Sequence, residues 1–338
     1  MAAMNKARKT KKRKGPVRSE RVRSFLKLFK GNDHVLITIN ADPDSMASAF
    51  AVKRLLWKRV YRTQIAYINE IQRLDNLAMM ELLKIPMEKL GKISVGDFTR
   101  KVLVDSQPSH SEIFETFKYD AIIDHHPIVK KWSLPYLDIR PEYGANSTIL
   151  IEYLRQAGIK PSRPLATGLL YGIKTDTASF ERAGTAKDVR EFQYIFPYAN
   201  MNLLRKIERS ELRVTDLRYF ERALERRIIA KKGIYSHLGK VPNPDICVQV
   251  ADFFNRVHGM GWTFVSGVHE DTLIIIIRND GYRKDAGKLV SRAFGDLGTA
   301  GGHTGAARAE IPLETLRGMG IKGYGSKLVH FIRSGLKF

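Results

Sequence analysis

Cysteine is almost missing from this chain: Cys247 is the only one in 338 residues. A single thiol excludes an internal disulfide framework and any metal cage built on thiolates, and it fits a reducing cytoplasm. Its neighbours Ile246 and Val248 mark it as a core residue rather than a nucleophile. Long apolar runs are missing too. None approaches the roughly 20 residues a membrane span needs, and the basic N-terminus leads into no apolar segment. Neither a signal peptide nor a membrane association is therefore expected. Acidic residues are scarce beside basic ones, 35 against 57, which leaves a formal net charge of +22. Residues 1–23 hold ten Lys/Arg against Glu20 alone, a contribution of +9, so the remaining 315 residues still carry +13. A basic body favours polyanionic ligands such as nucleic acid, nucleotides or polyphosphate. The tail itself reads as a disordered, solvated arm that contacts RNA non-specifically.

The length suits two domains, and a hydrophobic content of 43% is ordinary for a chain that buries a sizeable core. Apolar runs of strand length alternate with helical stretches from His34 onward. Strands are expected at His34–Asn40, Gln64–Ile68, Lys101–Val104 and Tyr119–Ile123, separated by helices starting at Asp44 or Ser45, at Asp75 and at Ser109. That alternation is the signature of an α/β, doubly wound, mostly parallel sheet. An irregular Pro-, Tyr- and Trp-rich segment up to Gly144 precedes helices at Ser147–Ala157 and Leu165–Lys174. Further helices are expected at Thr185–Tyr198, Met201–Glu208 and Thr215–Ala230, the last two so charged that they read as a linker. The expected division is a tail over 1–23, a first domain over 24–200, a helical linker over 201–231, a smaller α/β domain with a mixed sheet over 232–325, and a C-terminal helix over 326–338. A hairpin at Glu270–Asp271 is what makes the second sheet mixed.

The apolar segments of the first domain end in acids. The first runs into Asp42-Pro43-Asp44, the third into Asp105, the fourth into Asp124-His125-His126, and a later helix into Gly172-Ile173-Lys174-Thr175-Asp176-Thr177. A parallel sheet places its chemistry at the carboxyl edge, so neighbouring strands would gather these side chains in one crevice. Any one of these aspartates alone reads equally as a helix cap or turn former. Together they repel one another unless cations sit between them, and carboxylate with neutral imidazole is a donor set for Mn²⁺, Co²⁺ or Zn²⁺. Two such ions suit metal-assisted phosphoester hydrolysis.

Asp42-Pro-Asp44-Ser-Met-Ala-Ser48, Val104-Asp105-Ser-Gln107, Ile123-Asp124-His125-His126 and Gly172-Ile-Lys-Thr175-Asp176-Thr177, in that order, resemble the four motifs of the DHH phosphoesterase superfamily. Ala300-Gly301-Gly302-His303-Thr-Gly-Ala-Ala resembles the glycine-rich motif of its associated C-terminal domain. The resemblance spans roughly residues 33–312. It implies a two-manganese site, with Co²⁺ or Mg²⁺ as alternatives. Asp42 and Asp44 would each ligate one metal, Asp105 would bridge them, and His125 and Asp176 would complete the second. His126 would meet the phosphate or the leaving group, Asp124 would fix the imidazole tautomers, and Ser48 would help position the helix after the first motif. Arg278, Gly301, Gly302 and His303 would bind substrate. One position departs: Thr38 stands where the family usually has His, and Asn40 offers only a weaker carboxamide, so the first metal is expected to bind less tightly.

The size resembles that of the oligoribonuclease and 3′-phosphoadenosine 5′-phosphate phosphatase group, which implies short RNA or a phosphorylated nucleotide as substrate. Alternative readings are a phosphohydrolase acting on polyphosphate, pyrophosphate or a cyclic dinucleotide, and a nucleotide- or RNA-binding protein with a degenerate metal site.

Overall fold

A computed structural model gives the fold and describes residues 20–181, 184–209, 212–279, 284–321 and 325–336. The first 19 residues, which hold most of the basic tail, lie outside the described residues, as does Arg283. The chain divides into two compact units, Met1–Glu211 and Leu212–Phe338. No described helix is long and apolar enough to cross a membrane.

In the first unit the elements are α1 (Glu20–Lys27), β1 (His34–Ile39), α2 (Pro43–Leu56), β2 (Arg62–Tyr67), α3 (Leu74–Leu82), β3 (Met87–Lys89), β4 (Arg100–Val104), α4 (Glu112–Glu115), β5 (Ala121–Asp124), β6 (Tyr136–Ile139), α5 (Asn146–Gln156), α6 (Arg163–Asp176), α7 (Ala186–Ile195) and α8 (Met201–Glu208). Six strands pair in parallel in the order β3-β2-β1-β4-β5-β6. The chain winds outward from β1 to β3 and then crosses back to β4, so β1 and β4 flank the switch point where a doubly wound sheet opens its crevice. Both faces of β1 are covered. Val35, Ile37 and Ile39 enter the main core with Leu55 of α2, Leu150 of α5 and Leu169 of α6, whereas Leu36 packs with Ala66 and Phe98. Burial on both sides is why β1 reads as an apolar run, interrupted only by Thr38, rather than as an alternation of apolar and polar residues.

In the second unit α9 (Leu217–Glu225), β7 (Ile228–Ala230), β8 (Gly233–Lys240), α10 (Asp245–Phe254), β9 (Trp262–His269), β10 (Thr272–Asn279), α11 (Ala286–Phe294), β11 (Thr299–Gly302), β12 (Ala306–Pro312), α12 (Leu313–Gly318) and α13 (Ser326–Gly335) follow. The sheet order is β11-β12-β10-β9-β8-β7, with β8 and β9 parallel and the rest antiparallel. Along β10 the side chains alternate: Leu273, Ile275 and Ile277 pack with α11 and α13, while Ile274 and Ile276 pack with α10. Cys247 lies fully buried in that second layer, and burial pushes its thiol up to about 12.

Several expected boundaries shift. The tail ends at α1, where Arg21 pairs with Asp138 and Phe25 is buried against Tyr136 and Tyr153. The irregular segment holds β6, which pairs with β5 as the sheet's last strand, and β3 forms the opposite edge. The linker is divided between the two units: Leu204 and Ile207 of α8 enter the first core, Tyr219 and Ala223 of α9 enter the second, and Ile228–Ala230 is strand rather than helix. Charge made these helices look solvated, yet each buries one apolar stripe. The C-terminal helix likewise belongs to the second core through Leu328, Ile332 and Leu336.

Helix α6 meets α2 and α5 at Gly172. A Cβ there would lie 2.5 Å from Ser147 Oγ and 2.9 Å from Asp44 Oδ1, so only glycine lets the helices close. Gly168, one turn earlier, would place its Cβ no nearer than 3.3 Å to Leu83 Cδ1, the end of a flexible side chain. Gly172→Ala is expected to cost about 2–3 kcal/mol by overpacking. Gly168→Ala should be close to neutral, since about 1 kcal/mol of helix propensity offsets its tighter contact. Urea unfolding of both variants checks this, and equal stabilities would refute the close-approach role of Gly172.

Candidate metal centre

The carboxyl edge of the first sheet carries the motif residues. Asp42 caps α2: its Oδ1 accepts from Ser45 N at 2.8 Å while Ser45 Oγ accepts from Asp42 N at 2.9 Å. The residue that opens the helix therefore also stands at the end of β1. Asp44, two residues on, is fully buried. Its Oδ2 accepts from Asn146 N at 2.6 Å and its Oδ1 from Ser147 N at 2.7 Å, so it satisfies two amides that the start of α5 leaves unpaired. Ser48 Oγ, one turn along α2, lies 3.4 Å from the same carboxylate. Asp105 follows β4 with a positive φ of 59°, a strained conformation for a residue with a side chain. Asp176 is the last residue of α6, inside the helix rather than in a following loop.

These groups converge on His125. Its Nε2 lies 3.2 Å from Asp176 Oδ2, 3.3 Å from Asp105 Oδ1 and 3.9 Å from Asp44 Oδ2. Its Nδ1 lies 3.2 Å from the Tyr143 carbonyl, an acceptor that puts the proton on Nδ1 and leaves Nε2 as the ligand atom. Tyr143 is fixed in turn, because Asp188 accepts from Gly144 N at 3.0 Å and from Thr148 Oγ1 at 2.6 Å. His125 Nε2 and Asp105 Oδ1 are both buried and neither has a hydrogen-bond partner of good geometry. Two orphaned donor atoms facing each other in a carboxylate cluster are what a cation would satisfy.

The electrostatics agree. Burial and the Asp176 charge raise the Asp44 carboxyl to about 6, and burial with the Asp44 charge lifts Asp105 well above the usual carboxylate range. Asp42 rises as well, through the protein packed around it and through Asp44, although its side chain still reaches solvent. Burial would depress His125, but Asp105 and Asp176 outweigh it and push the imidazole up to about 12. Without a metal, protons neutralise this cluster, and a metal must displace them.

Asp44, His125 and Asp176 offer ligand atoms within 4.8 Å of one another, as do Asp105, His125 and His126. Asp42 falls outside both groups. Asp124 is fully buried: its Oδ1 accepts from His126 Nδ1 at 2.8 Å and its Oδ2 from Gln107 Nε2 at 2.8 Å. Burial would raise Asp124, but these bonds overcome it and hold the carboxyl below its ordinary value. Gln107 also donates to the Pro127 carbonyl at 3.0 Å, which fixes the chain after the two histidines. Residues given no role by the motifs thus enter the site: Gln107, which ends the second motif, and Asp188 and His110, which lie outside all four. The His110 ring meets His126 edge-on at 5.3 Å, and its Nδ1 accepts from Gln107 N at 3.2 Å, so its Nε2 carries the proton. Burial lowers the His110 pKa. Only the Ser-Gln spacing after Asp105 could have flagged it.

Thr38 is buried with its hydroxyl 3.1 Å from the Tyr119 hydroxyl and 3.4 Å from the Val102 carbonyl, so it contributes no ligand atom. Asn40 is exposed. The second unit does not gather its expected binding residues. Arg278 gives its Nε to Asp252 of α10 at 2.7 Å, on the α10 side of the sheet. The Gly-Gly-His stretch lies with α11, where Ala286 N and Gly287 N donate to the Thr304 and His303 carbonyls. Gly301 and Gly302 form a strand rather than an anion-binding loop, and His303 N donates to the Ala306 carbonyl at 2.8 Å. Gly302 is required for packing, since a Cβ would lie 2.3 Å from the Ala306 carbonyl oxygen, while Gly301 has open space. The His303 side chain is exposed.

Asn tolerates a positive φ better than other side chains, so Asp105→Asn removes the charge while keeping the backbone. In chelator this variant should melt at or above the parent, because it relieves charge crowding. The parent should gain about 2.7 kcal/mol at a Mn²⁺ concentration 100-fold above its Kd, and the variant should lose that gain. Thermal scans with and without Mn²⁺ decide it. A variant that melts well below the parent in chelator would make Asp105 a structural residue.

Residues 34–173 match the family model described as "DHH family, N-terminal domain". An uncharacterized protein of Methanocaldococcus jannaschii is 34% identical over 296 residues, 87% of this chain and 61% of that protein. A probable manganese-dependent inorganic pyrophosphatase of Deinococcus radiodurans is 26% identical over 169 residues, 48% of this chain and 53% of that protein. The chain thus spans 61% and 53% of the length of these two relatives. Its fold matches the crystal structure of an exopolyphosphatase-related protein from Bacteroides fragilis with a TM-score of 0.72 at 14% identity, covering 94% of this chain and 95% of that one. The matched residues 34–173 include Asp42, Asp44, Asp105, Asp124, His125 and His126 at the carboxyl edge of the first sheet, and in this stretch the chain is similar to a DHH family N-terminal domain.

Proposed function

We propose that the protein is a divalent-metal-dependent phosphohydrolase that cleaves short oligoribonucleotides or 3′-phosphoadenosine 5′-phosphate. The buried His125 Nε2, facing Asp44, Asp105 and Asp176 at 3.2–3.9 Å without a hydrogen bond, carries this reading. Those four residues would hold a cation, and Asp42 would reach a second one beside Asp105. When bound, such ions supply a nucleophilic water near neutral pH and neutralise a phosphoryl oxygen. Manganese is the ion favoured by the similarity to a probable manganese-dependent pyrophosphatase.

The chain's own groups do the positioning. Asp124, held by Gln107, fixes His126 through Nδ1 and leaves Nε2 as the ring nitrogen that would meet a phosphoryl or leaving-group oxygen. His110, with its proton on Nε2, adds a second donor beside it. In the second unit the exposed His303 is the residue of its motif left to contact substrate, since Arg278 is committed to Asp252. The net charge of +22 supports a polyanionic substrate. A second reading, hydrolysis of a phosphoanhydride, is favoured by the same pyrophosphatase similarity across 169 residues.

Phosphate and mononucleotide release from 3′-phosphoadenosine 5′-phosphate, a labelled RNA dinucleotide, pyrophosphate and polyphosphate, each with Mn²⁺ and with chelator, tests both readings. Chelator-sensitive turnover of the first two substrates is expected, with Asp176→Ala lowering it at least about 100-fold, since second-sphere changes alone cost 10- to 100-fold. Turnover confined to the phosphoanhydrides would sink the first reading, and metal binding without turnover of any of the four would sink both. Mn²⁺ affinity should fall as pH drops through about 6, where Asp44 regains its proton, and should still be rising above that value because a metal must also displace the proton held by His125. Calorimetric titration of Mn²⁺ at pH 5 and pH 8 reads this, and a flat profile would refute the assignment of Asp44 as a ligand.

A further inference from the structure

The second unit holds a cavity of about 360 Å³ that none of the motifs addresses. Trp262 and Phe264 line it from one face of β9, their rings parallel to within 2° and 5.6 Å apart. Leu289 of α11 and Leu336 add apolar wall. Around this aromatic floor stand four cations, Lys231, Lys284, Lys288 and Arg292, against one acid, Asp285. Asp285 is already engaged, since its Oδ1 accepts from Lys288 N at 3.0 Å as the cap of α11. Lys288 remains 84% exposed, 3.9 Å from that carboxylate. The volume falls within the roughly 300–1,000 Å³ of small-ligand sites.

Two chemistries meet here. A planar aromatic pair offers a surface for another planar ring, and a surplus of cations at its rim offers sites for phosphate. Polyphosphate would use the cations and leave the rings without a partner, and an apolar ligand would do the reverse. An acidic peptide would match the charge but bring no ring to the floor. Aromatic stacking combined with a cationic rim is how single-stranded nucleic acid is held without sequence preference.

We propose that this cavity binds a nucleotide unit, free or within a short single strand, with its base against Trp262 and its phosphate among Lys284, Lys288 and Arg292. The cavity is lined by residues of the second unit alone and shares none with the carboxylate cluster of the first. The proposal rests on the nucleotide half of the function proposed above and not on its hydrolytic half.

Binding of a fluorescein-labelled RNA pentamer to the full chain in chelator, where no hydrolysis interferes, tests it by anisotropy. AMP, inorganic phosphate and linear polyphosphate serve as competitors. Lys288→Ala/Arg292→Ala, both exposed, should weaken RNA binding about tenfold and flatten the slope of log affinity against log salt by about 1.4, the loss of two phosphate contacts. Trp262→Ala should weaken RNA and AMP binding at least about fivefold, the low end of a lost base stack, and leave polyphosphate binding unchanged. Trp262→Phe should restore most of the loss. AMP competing at the same site identifies the nucleotide unit itself, while competition by the strand alone identifies an extended oligonucleotide. RNA affinity unchanged in the double variant would overturn the proposal. Equal losses for RNA and polyphosphate in Trp262→Ala, unrepaired by Phe, would reduce the cavity to a packing feature under a basic surface. Because binding is read without metal, wild type that binds RNA here but hydrolyses nothing with Mn²⁺ would defeat the proposed activity and leave this site standing.

Discussion

Asp44 and Asp105 sit almost out of water, close to Asp176 and to each other, and the free energy of crowding those charges governs the first unit. Burial alone would drive each carboxyl toward its neutral form, and each neighbour's charge pushes further in that direction. Three features oppose this. The first amides of α5 donate to Asp44, the imidazole of His125 faces all three carboxylates, and a cation between them would neutralise what remains. A cluster held this way is costly without its ion, and that makes metal affinity, protonation and stability three readings of one equilibrium.

The rest of the domain holds that cluster in place. Gly172 lets α6 approach α2 until Asp176 and Asp44 face the same imidazole. Asp188, far along the chain, fixes the Tyr143–Gly144 turn, and the Tyr143 carbonyl fixes the His125 tautomer. Gln107 holds Asp124, which orients His126. Asp44, His125 and His126 therefore each have an outer partner that sets their direction, as the residues around a bound metal do. The second unit uses a different physics. Its cavity has no carboxylate cluster among its lining residues, only aromatic area rimmed by positive charge, suited to a ring and its phosphate rather than to an ion.

Much of this was legible in the residues. The apolar runs of β1, β4 and β5, each ended by an acid, announced a parallel sheet with chemistry at one edge, because strands buried on both faces need unbroken hydrophobicity. Asp44, Asp105, His125 and Asp176 do converge. Less legible were β3 and β6, short edge strands whose residues alternate in exposure and lack the buried-strand pattern. The charged helices α8 and α9 read as linker because their polar faces outnumber one apolar stripe each. Arg278, offered by the resemblance as a substrate contact, is turned by its register along β10 toward α10 and Asp252. Gly301 and Gly302, offered in the same way, are taken up by strand pairing with β12.

By itself the sequence determined the alternation of strand and helix, the basic balance of the chain, and which side chains carry chemistry, since these follow from hydrophobic period, residue type and order. Tertiary structure alone decided how those side chains are used. It made Asp42 a helix cap, turned Thr38 toward Tyr119, brought His110 beside His126, and closed Trp262 and four cations around one cavity. The physical reason is that periodicity encodes which face of an element is buried, whereas the partner that each polar atom meets is set by packing between elements distant in sequence.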